Sequence, residues 1–341
     1  MKGLSYRDAG VDLDAAERAK AGLADLVAST RDANTLSELG DFGGLYAVPP
    51  GLDAPVLVSS TDGVGTKLKV AFAAGRHDTV GQCLVNHCVN DILVQGARPL
   101  FFLDYLATGE MDESVVHEIV RGVATACREN RCALLGGETA QMPGFYAAGE
   151  YDLAGFVVGV VERATLLDGS RVQAGDALVG LASSGLHTNG YTLARRIVFD
   201  EMGLEAGDEL PGTGRSVADE LLTVHRSYLG ALRGPLEASL VHGLAHVTGG
   251  GIPGNLPRVL PEGLGARIER ASWEVPAVFG TLQRAGSVAT EEMDRVFNMG
   301  VGMIAIVEPG SVAAVVEAAA EIGVAAWWLG SVGAGAGVTY V

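Results

Sequence analysis

An acid, two glycines, a hydroxyl and a lysine follow an apolar run near residue 60. The run VLVSST, 56–61, predicts a buried strand, and the residues after it are Asp62, Gly63, Gly65, Thr66 and Lys67. Such a combination at the end of a strand is typical of phosphate binding. The order excludes a Walker A loop, in which G-x-x-x-x-G-K-[ST] leads into a helix. An acid that comes first indicates a metal ion that organises the phosphates, with the lysine assisting.

Similar polar stretches end other apolar runs or interrupt a predicted helix. They are Asn90-Asp91, the segment 136–139 (GGET), the segment 183–190 (SSGLHTNG) and the segment 246–251 (HVTGGG). Ligand groups of α/β folds collect where strands end at a shared edge, so we expect these stretches to converge. Asp62, Asp91 and Glu138 are carboxylates of the kind that holds Mg²⁺ together with phosphates. Lys67 would add a point charge, and glycines let backbone N–H groups approach an anion.

Each stretch also has a purely structural interpretation. Asp62-Gly63 could be a turn, Asn90-Asp91 a solvated helix face or a subunit contact, and Glu138 a helix cap. A single histidine such as His187 is more often a hydrogen-bonded structural residue than a catalyst, and 249–251 could be a plain loop. Because these structural explanations are independent, they become less probable together, and the set favours an enzyme that uses a magnesium nucleotide.

Composition and charge narrow the class further. The 341 residues are 48% hydrophobic and 6% aromatic and include 48 glycines, which suits an α/β protein with tight turns. The formal net charge of −17 argues against nucleic acid and anionic membrane surfaces as partners. No run of about 18 apolar residues predicts a membrane span, and the start lacks the apolar region of a signal peptide. We expect a cytoplasmic protein.

Strand-like and helix-like segments alternate through both halves of the chain. The length and a polar, glycine-containing stretch at 165–176 predict two mixed α/β (α+β) domains, 1–168 and 169–341. Apolar spacing predicts a helix over 77–97, and Asp112 is a plausible N-cap for the next helix. The cysteines are expected to be small buried thiols, although His87 beside Cys88 leaves a thiolate–imidazole metal site open. They are Cys83, Cys88, Cys127 and Cys132.

Six segments, in this order, resemble the motif series of the aminoimidazole ribonucleotide synthetase (phosphoribosylformylglycinamidine cyclo-ligase) family. They are SYRDAGVDLDA (5–15), DGVGTKLKVA (62–71), GGETAQMPG (136–144), GLHTNGYTLARR (185–196), AHVTGGGIPGNLPR (245–258) and FNMGVGM (297–303). The resemblance covers nearly the whole chain, and a series of this kind is far more specific than one glycine motif.

The resemblance implies an ATP-dependent, C–N bond-forming ring closure in purine biosynthesis. Formylglycinamidine ribonucleotide would become 5-aminoimidazole ribonucleotide, with release of ADP and phosphate. Transfer of the γ-phosphoryl group to the formyl oxygen turns a poor leaving group into a good one, and the amidine nitrogen then attacks the activated carbon. Catalysis would consist mostly of positioning and of neutralising phosphate charge.

The resemblance also assigns roles to residues. Mg²⁺ would be held by Asp62, Asp91 and Glu138. ATP would contact Lys20, Gly43, Gly44, Asp62, Gly63, Gly65, Thr66 and Lys67. His187 would transfer protons, because imidazole titrates near neutral pH, with Lys67 and Asp91 as the other catalytic residues. The ribose phosphate of the substrate would lie against Asn189, Thr248, Gly249, Gly250 and Gly251.

The implied assembly is a homodimer in which the N-terminal sheets of two chains pair into a barrel-like core. ATP would lie close to the dimer contact. The apolar segments PLFFLDYLA (99–107) and AGFVVGVV (154–161) suit burial on both faces.

Some positions depart from the pattern of the family. Asp41 stands in the glycine-rich loop where a small residue is typical, and its charge would repel a triphosphate without a nearby cation. Gln141 replaces a usual Glu, so residue 141 is not expected to be an essential metal ligand. Pro253-Gly254 replaces a more polar pair. Residues 22–24 lack an expected basic side chain, and Lys20 one turn earlier is the substitute.

The rivals are other ATP-dependent, phosphoryl-activating enzymes of the same superfamily. Selenophosphate synthetase is expected to carry a reactive Cys in an early glycine-rich loop, whereas the first Cys here is Cys83. The hydrogenase maturation dehydratase would end in Cys, but this chain ends Thr-Tyr-Val. Thiamine monophosphate kinase lacks GLHTNGY and AHVTGGG, and formylglycinamidine synthetase is not expected to begin with DAGVD. A non-catalytic nucleotide-binding scaffold would have lost some of Asp62, Lys67, Asp91 and His187.

Overall fold

The structure, a computed structural model, describes residues 3–11 and 13–341, without the side chains of residues 15, 16, 20 and 21. Its strands are β1 Pro55–Gly63, β2 Arg98–Thr108, β3 Ala133–Gln141, β4 Tyr151–Glu162, β5 Ala177–Ala182, β6 Glu209–Leu210, β7 Arg215–Ser216, β8 Val241–His246, β9 Leu264–Ile268, β10 Val301–Val307, β11 Ala326–Ala334 and β12 Gly337–Tyr340. Its α-helices are α1 Leu13–Ala21, α2 Ala24–Ala28, α3 Leu68–Ala74, α4 Asp78–Leu93, α5 Glu113–Glu129, α6 Tyr191–Arg195, α7 Val217–Leu221, α8 Leu229–Glu237, α9 Gly251–Asn255, α10 Ala277–Ala285, α11 Thr290–Val296 and α12 Val312–Glu321. The mixed α/β class predicted from the sequence is confirmed.

The first sheet has the strand order β1-β4-β2-β3, in which only the β2–β3 pair is parallel. Helices α4 and α5 cover one face, where the strands contribute Val58, Phe102 and Val157 to the buried core. Helix α5 begins as predicted, because the carboxylate of Asp112 accepts hydrogen bonds from the N–H groups of Ser114 and Val115. This face positions the helices that carry the site.

The opposite face of the first sheet is open in the single chain. Leu57, Tyr105 and Phe156 point from it and are 61%, 38% and 39% exposed. Strand pairing places Phe156 beside Leu103 on one side and Thr61 on the other. This face of the sheet therefore exposes three large apolar or aromatic side chains to solvent in the single chain.

On the covered face, four residues on neighbouring strands lie side by side. They are Asp62, Gly155, Asp104 and Gly137, in that order across the sheet. A Cβ on Gly137 would lie 2.3 Å from a carboxylate oxygen of Asp104, so glycine leaves the space that this carboxyl group occupies. Burial raises the pKa of Asp104 to about 7. Asp104 is therefore an acid whose protonated form the folded chain favours.

Asp104 is expected to make the fold less stable as the pH rises. Its pKa is near 3.9 in the unfolded chain and higher in the folded chain, so its contribution is complete below pH 4 and is lost as the pH rises to about 7. We expect a loss of about 1–2 kcal/mol, since the side chain is partly exposed. Urea denaturation between pH 5 and pH 8 should show this slope in wild type, a weaker slope in Asp104→Asn, and no weakening in the exposed control Asp152→Asn. Equal slopes in all three proteins would contradict this prediction.

The second sheet has the order β12-β9-β11-β5-β10-β8. All seven residues of β10 are buried, because α8 and α12 cover one face and α9 packs on the other. The predicted boundary at residue 168/169 falls in the connection between the two sheets. A single apolar core nevertheless joins the first sheet to Tyr191, Phe279 and Phe297 of the second half.

Two further expectations concern cysteines and membranes. All four cysteines are free and buried, as predicted, and Cys88 directs its thiol towards the carbonyl oxygen of Gly155 at 3.9 Å. No helix among the described residues is long and apolar enough to cross a membrane.

Candidate active site

A cleft of 560 Å³ lies between the edge of the first sheet, α4 and the end of β8. The polar residues in its wall are Ser59, Ser60, Asp62, His87, Asp91, Gln95, Asp168, His246, Thr248, Asn255 and Arg258. Arg258 is the one lysine or arginine in this wall, which also carries three aspartates. The cleft brings Asp62, Asp91 and Thr248 together from distant parts of the sequence.

Local structure explains why these side chains meet. Asp62 lies at the end of β1 and faces α4, since it alternates with the exposed residues of that strand. His87 and Asp91 are four residues apart on α4 and therefore share one helix face. Strand β8 ends at His246 beside them, and Thr248 follows two residues later.

Hydrogen bonds connect Asp91 to three histidines. Its carboxylate lies 2.7 Å from Nδ1 of His246, whose Nε2 lies 3.1 Å from Nε2 of His225. Nδ1 of His225 lies 3.2 Å from the hydroxyl of Thr188, and that hydroxyl lies 2.7 Å from Nδ1 of His87. This hydrogen-bond network connects the two halves of the protein, because His87 and Asp91 come from α4 and the other members come from the second half.

The same hydrogen-bond network also reaches the carboxylate of Asp62, through His87. Nε2 of His87 lies 3.0 Å from Oδ2 of Asp62 and 3.8 Å from Oδ2 of Asp91. Ser60 donates its hydroxyl hydrogen to Asp91 over 3.2 Å. Two carboxylates therefore face one buried imidazole at the wall of the cleft.

The electrostatic environment shifts the pKa values of these groups in different directions. Burial would lower the pKa of His87, but the hydrogen bond to Asp62 and the charges of Asp91 and Asp62 outweigh it and raise the pKa. Burial would raise the pKa of Asp91, but His246, His87 and Ser60 lower it overall. For His225, burial and the neighbouring imidazoles hold the pKa well below its usual value, and burial also lowers the pKa of His246. Asp91 is thus ionised, and His225 and His246 are neutral.

His187, predicted to transfer protons to the substrate, does not line the cleft. It is 1% exposed, and its ring stacks on His225 with centroids 4.0 Å apart. Nε2 accepts a hydrogen bond from the N–H of Ser184 at 3.1 Å, while Nδ1 is buried and has no hydrogen-bond partner among the described residues. Burial lowers its pKa well below the usual value, so the ring is neutral. The position does not support the predicted catalytic role, and His187 instead supports His225.

Lys67, predicted to contact a phosphate oxygen, is completely buried between the two halves. Its ammonium group donates to the carbonyl oxygens of His187 at 2.9 Å and Thr223 at 2.7 Å, and to the thiol of Cys83 at 3.2 Å. All three ammonium hydrogens have acceptors, so none is available for a nucleotide. His187 has a backbone φ of 62°, a strained value for a residue with a side chain, and Lys67 holds its carbonyl group. In the single chain Lys67 is therefore a structural contact between the halves, and its contact with a phosphate oxygen stays a prediction.

Glu138 and the glycine-rich loop lie away from the two aspartates. Glu138 is on β3, three strands or about 14 Å across the sheet from β1. It also alternates with Gly137, which shares a face with Asp62, so Glu138 points to the opposite face. Gly44 packs against Leu135 at the start of the same strand, and Gly43 is its neighbour. Within one chain, the structure does not bring these three predicted residues to Asp62 and Asp91.

The remaining predicted ATP contacts surround Asp62. Gly63 donates its N–H to the carboxylate of Asp62 at 2.8 Å, and Gly65 takes a φ of 65°, which glycine adopts without strain. The hydroxyl of Thr66 lies 2.9 Å from that of Thr192. These residues turn the chain from β1 into α3. The side chain of Lys20 lies outside the described part of the structure.

The predicted substrate loop, 248–251, is organised by a residue that the sequence did not single out. The side-chain amide of Asn255 donates to the carbonyl oxygens of Thr248, Gly249 and Gly251 at 3.4, 3.2 and 2.8 Å. Its oxygen accepts a hydrogen bond from Arg258 at 3.3 Å. Gly250 stands in a left-handed conformation at the start of α9. Asn255 therefore links the loop to the one arginine in the cleft wall.

Asn189 approaches the same loop from the other side. Its side-chain oxygen lies 3.4 Å from the place that a Cβ on Gly249 would occupy, and its amide nitrogen is buried and has no hydrogen-bond partner in the described chain. Asn189 therefore leaves a buried hydrogen-bond donor beside the glycine-rich loop.

Sequence reasoning considered His87 only for a metal site with Cys88, and it did not single out His225, Thr188 or Arg258. The H-x-x-x-D spacing of His87 and Asp91 was a usable signal, since residues four apart share a helix face. His225 carries no local signal, because it reaches the cluster from a loop between α7 and α8.

Two domain matches place the chain among AIR synthase related proteins. Residues 46–161 match the description "AIR synthase related protein, N-terminal domain", and residues 173–341 match "AIR synthase related protein, C-terminal domain". Phosphoribosylformylglycinamidine cyclo-ligase of Sorangium cellulosum is 56% identical over 331 residues, 96% of this chain and 95% of that protein. The enzyme of the same name from Trichlorobacter lovleyi is 51% identical over 96% of this chain and 94% of its own length. The chain belongs to the phosphoribosylformylglycinamidine cyclo-ligase family.

Solved structures show the same fold at low identity. Thiamine-monophosphate kinase from Stenotrophomonas maltophilia has a TM-score of 0.70 at 20% identity, covering 94% of this chain and 95% of that one. The hydrogenase maturation protein HypE in complex with ATP has a TM-score of 0.59 at 18% identity, covering 92% and 85%.

Proposed function

We propose that this chain is an ATP-dependent cyclo-ligase that converts formylglycinamidine ribonucleotide into 5-aminoimidazole ribonucleotide, ADP and phosphate. The observation that carries the proposal is the identity of 56% and 51% to enzymes of that name over nearly the full length of the chain. The cleft supports it, because acidic side chains, the start of a glycine-rich loop at Thr248 and one arginine meet there. ATP use is supported by the neighbouring fold of HypE, whose structure was solved with ATP.

Asp62 and Asp91 are the residues that would hold a divalent cation. They fit one, because both carboxylates reach the wall of the cleft and Asp91 is kept ionised by its partners. A bound Mg²⁺ would neutralise phosphate charge during transfer of the phosphoryl group. His246 and Ser60 fix the orientation of the Asp91 carboxylate. Glu138 stays a separate proposal, for which a second chain or a rearranged sheet edge would be required.

The ribose phosphate would bind to Thr248, Asn189 and the N–H groups of 249–251. Arg258 in the cleft wall would supply a positive charge for the phosphate, in a wall that otherwise carries three aspartates. Asn255 keeps the loop in place through its three hydrogen bonds. With the phosphate held at one end and the nucleotide at the other, the formyl oxygen and the γ-phosphoryl group would be positioned for reaction.

The decisive experiment is incubation with formylglycinamidine ribonucleotide, ATP and Mg²⁺, with the products separated and quantified. We expect one 5-aminoimidazole ribonucleotide for each ADP. ATP hydrolysis without an imidazole product, or no reaction, would contradict the proposal. Thiamine monophosphate in place of the substrate is the control and should yield no phosphorylated product.

We also propose a homodimer formed through the open face of the first sheet. The exposed Leu57, Tyr105 and Phe156 support it, since apolar surface of this extent is stabilised by burial against a second copy. The mass in solution is expected to be twice 35.1 kDa, and Phe156→Glu should reduce it to that of one chain. Light scattering after size-exclusion chromatography measures both. A wild-type monomer would contradict the proposal.

A further inference from the structure

A short supporting segment, residues 294–298, contacts both loops that carry the predicted substrate residues. It runs from the end of α11 into the connection before β10. A Cβ on Gly251 would lie 1.8 Å from the backbone carbonyl oxygen of Asp294 and 3.1 Å from that of Phe297, so only glycine permits this approach. The loop 248–251 therefore packs directly on the supporting segment, and its position follows from the position of that segment.

The other end of the supporting segment holds the loop 183–190, which carries Asn189. The side-chain amide of Asn298 donates to the carbonyl oxygen of Gly185 at 2.8 Å, and its oxygen accepts the hydroxyl hydrogen of Ser183 at 3.0 Å. Asn298 is 4% exposed, so water competes little for these hydrogen bonds. Because one segment contacts both loops, it fixes the distance between them.

An ion pair with Arg270 anchors Asp294. Both terminal nitrogens of the guanidinium group donate to the carboxylate, one of them over 3.3 Å, and the group lies 3.8 Å from the ring centroid of Tyr340. Asp294 is 6% exposed, and within the described part of the chain no other side chain donates to its carboxylate. A planar fork fixes the direction of a carboxylate as well as balancing its charge, so Arg270 determines where the end of α11 lies.

We propose that Asp294, anchored by Arg270, is a positioning residue that holds the loops 183–190 and 248–251 at the separation required to bind the ribose phosphate of the substrate. Asp294 acts through the backbone of α11, so a small displacement of this helix would move the N–H groups that face the phosphate. Binding of ATP should depend on it less, because the carboxylates proposed to hold the metal ion lie on β1 and α4. The identity of the ligand rests on the proposed function, whereas the support of the loops does not.

Hydrogen exchange of the full chain without ligand tests the support of the loops. Asp294→Asn keeps the shape of the side chain and removes the charge that pairs with Arg270. The N–H groups of Gly251 and Gly254 form hydrogen bonds of 3.0 and 2.9 Å within the loop and the start of α9, so they should be protected in wild type. Peptides that cover these residues and the loop 183–190 are expected to exchange about 10-fold faster in the variant.

Steady-state kinetics of ring closure test the consequence for binding. In Asp294→Asn, KM for formylglycinamidine ribonucleotide should rise about 10-fold, while KM for ATP and kcat stay within about twofold of wild type. A residue that only stabilised the fold would reduce the amount of active protein and leave both KM values unchanged. An unchanged KM for the ribonucleotide, or an equal rise of both KM values, would overturn the proposal.

Glu292→Gln is the matched control, because Glu292 is exposed on the same helix and the substitution removes the same charge. It should leave the exchange rates and both KM values unchanged. Arg270→Lys keeps the charge but not the planar fork, and it should change exchange in the same direction by a smaller factor. Wild-type exchange rates of the loops in Asp294→Asn, or in Arg270→Lys if the first variant does not fold, would overturn the proposal. Failure of wild type to close the ring would contradict the proposed function, and hydrogen exchange would still decide whether Asp294 positions the loops.

Discussion

Asp91→Asn is expected to lower kcat by about 100- to 1,000-fold while the protein stays folded. Asp91 is the one residue that contacts His246, His87 and Ser60 at once, and it faces the cleft. An amide would keep the shape of the side chain, but it could not balance the charge of a divalent cation. It also could not accept a hydrogen bond from every donor that now contacts Asp91. The loss should appear in kcat of ring closure with saturating ATP and substrate, because the altered charge acts when phosphate charge develops.

Asp78→Asn is the matched control for that experiment. Asp78 is exposed at the first turn of the same helix, thirteen residues or about 20 Å from Asp91. Its kcat should remain within about twofold of wild type, since the substitution changes an equal charge far from the cleft. A wild-type rate in Asp91→Asn would show that the reaction takes place elsewhere on the protein.

Lys67→Met is expected to destabilise the protein by about 3 kcal/mol. The substitution keeps the length of the side chain but leaves the buried carbonyl oxygens of His187 and Thr223 without their donor. The free energy of unfolding in urea measures the loss. Lys69→Met is the control, because Lys69 pairs with Glu150 at the surface, where the two side chains are 43% and 36% exposed. That variant should lose less than about 1 kcal/mol.

This comparison separates two roles for Lys67. A lysine that contacts phosphate would lose turnover and ATP affinity on replacement while the free energy of unfolding stayed unchanged. The buried position of Lys67 predicts instead that the free energy of unfolding decreases on replacement. Any loss of turnover would then result from the disturbed loop around His187. Unchanged stability together with lost ATP binding would restore the role that the glycine-rich sequence indicated.

The sequence predicted the elements whose formation depends on neighbouring residues alone. The strand before Asp62, the helix over α4 and the cap at Asp112 follow from apolar spacing and from a side chain that satisfies free N–H groups. Asp62 and Asp91 reach one cleft because a strand end and the helix packed on it position them. The resemblance to a family supplied the reaction, which no spacing could have supplied.

The positions of other candidate residues depend on tertiary packing, which the sequence does not show. Lys67 follows a short helical turn, Gly65–Lys67, and the sequence does not show that this turn directs it inward. Glu138 lies on the opposite face of the sheet from Asp62, because β3 shifts its register against β2 near Leu135. The sequence does not show this shift. His225 joins the site through hydrogen bonds to residues more than 20 positions away in the sequence.

The hydroxyl of Thr188, placed between His87 and His225, has an evolutionary consequence. Each ring relies on this one oxygen for its Nδ1 contact, so losing either histidine leaves the other with an altered tautomer or an unpaired buried atom. A substitution at one of the three positions therefore favours substitutions at the others, and the three should be inherited as a unit. Relatives without His87 are expected to lack His225 as well, and a family in which the two positions vary independently would contradict this coupling.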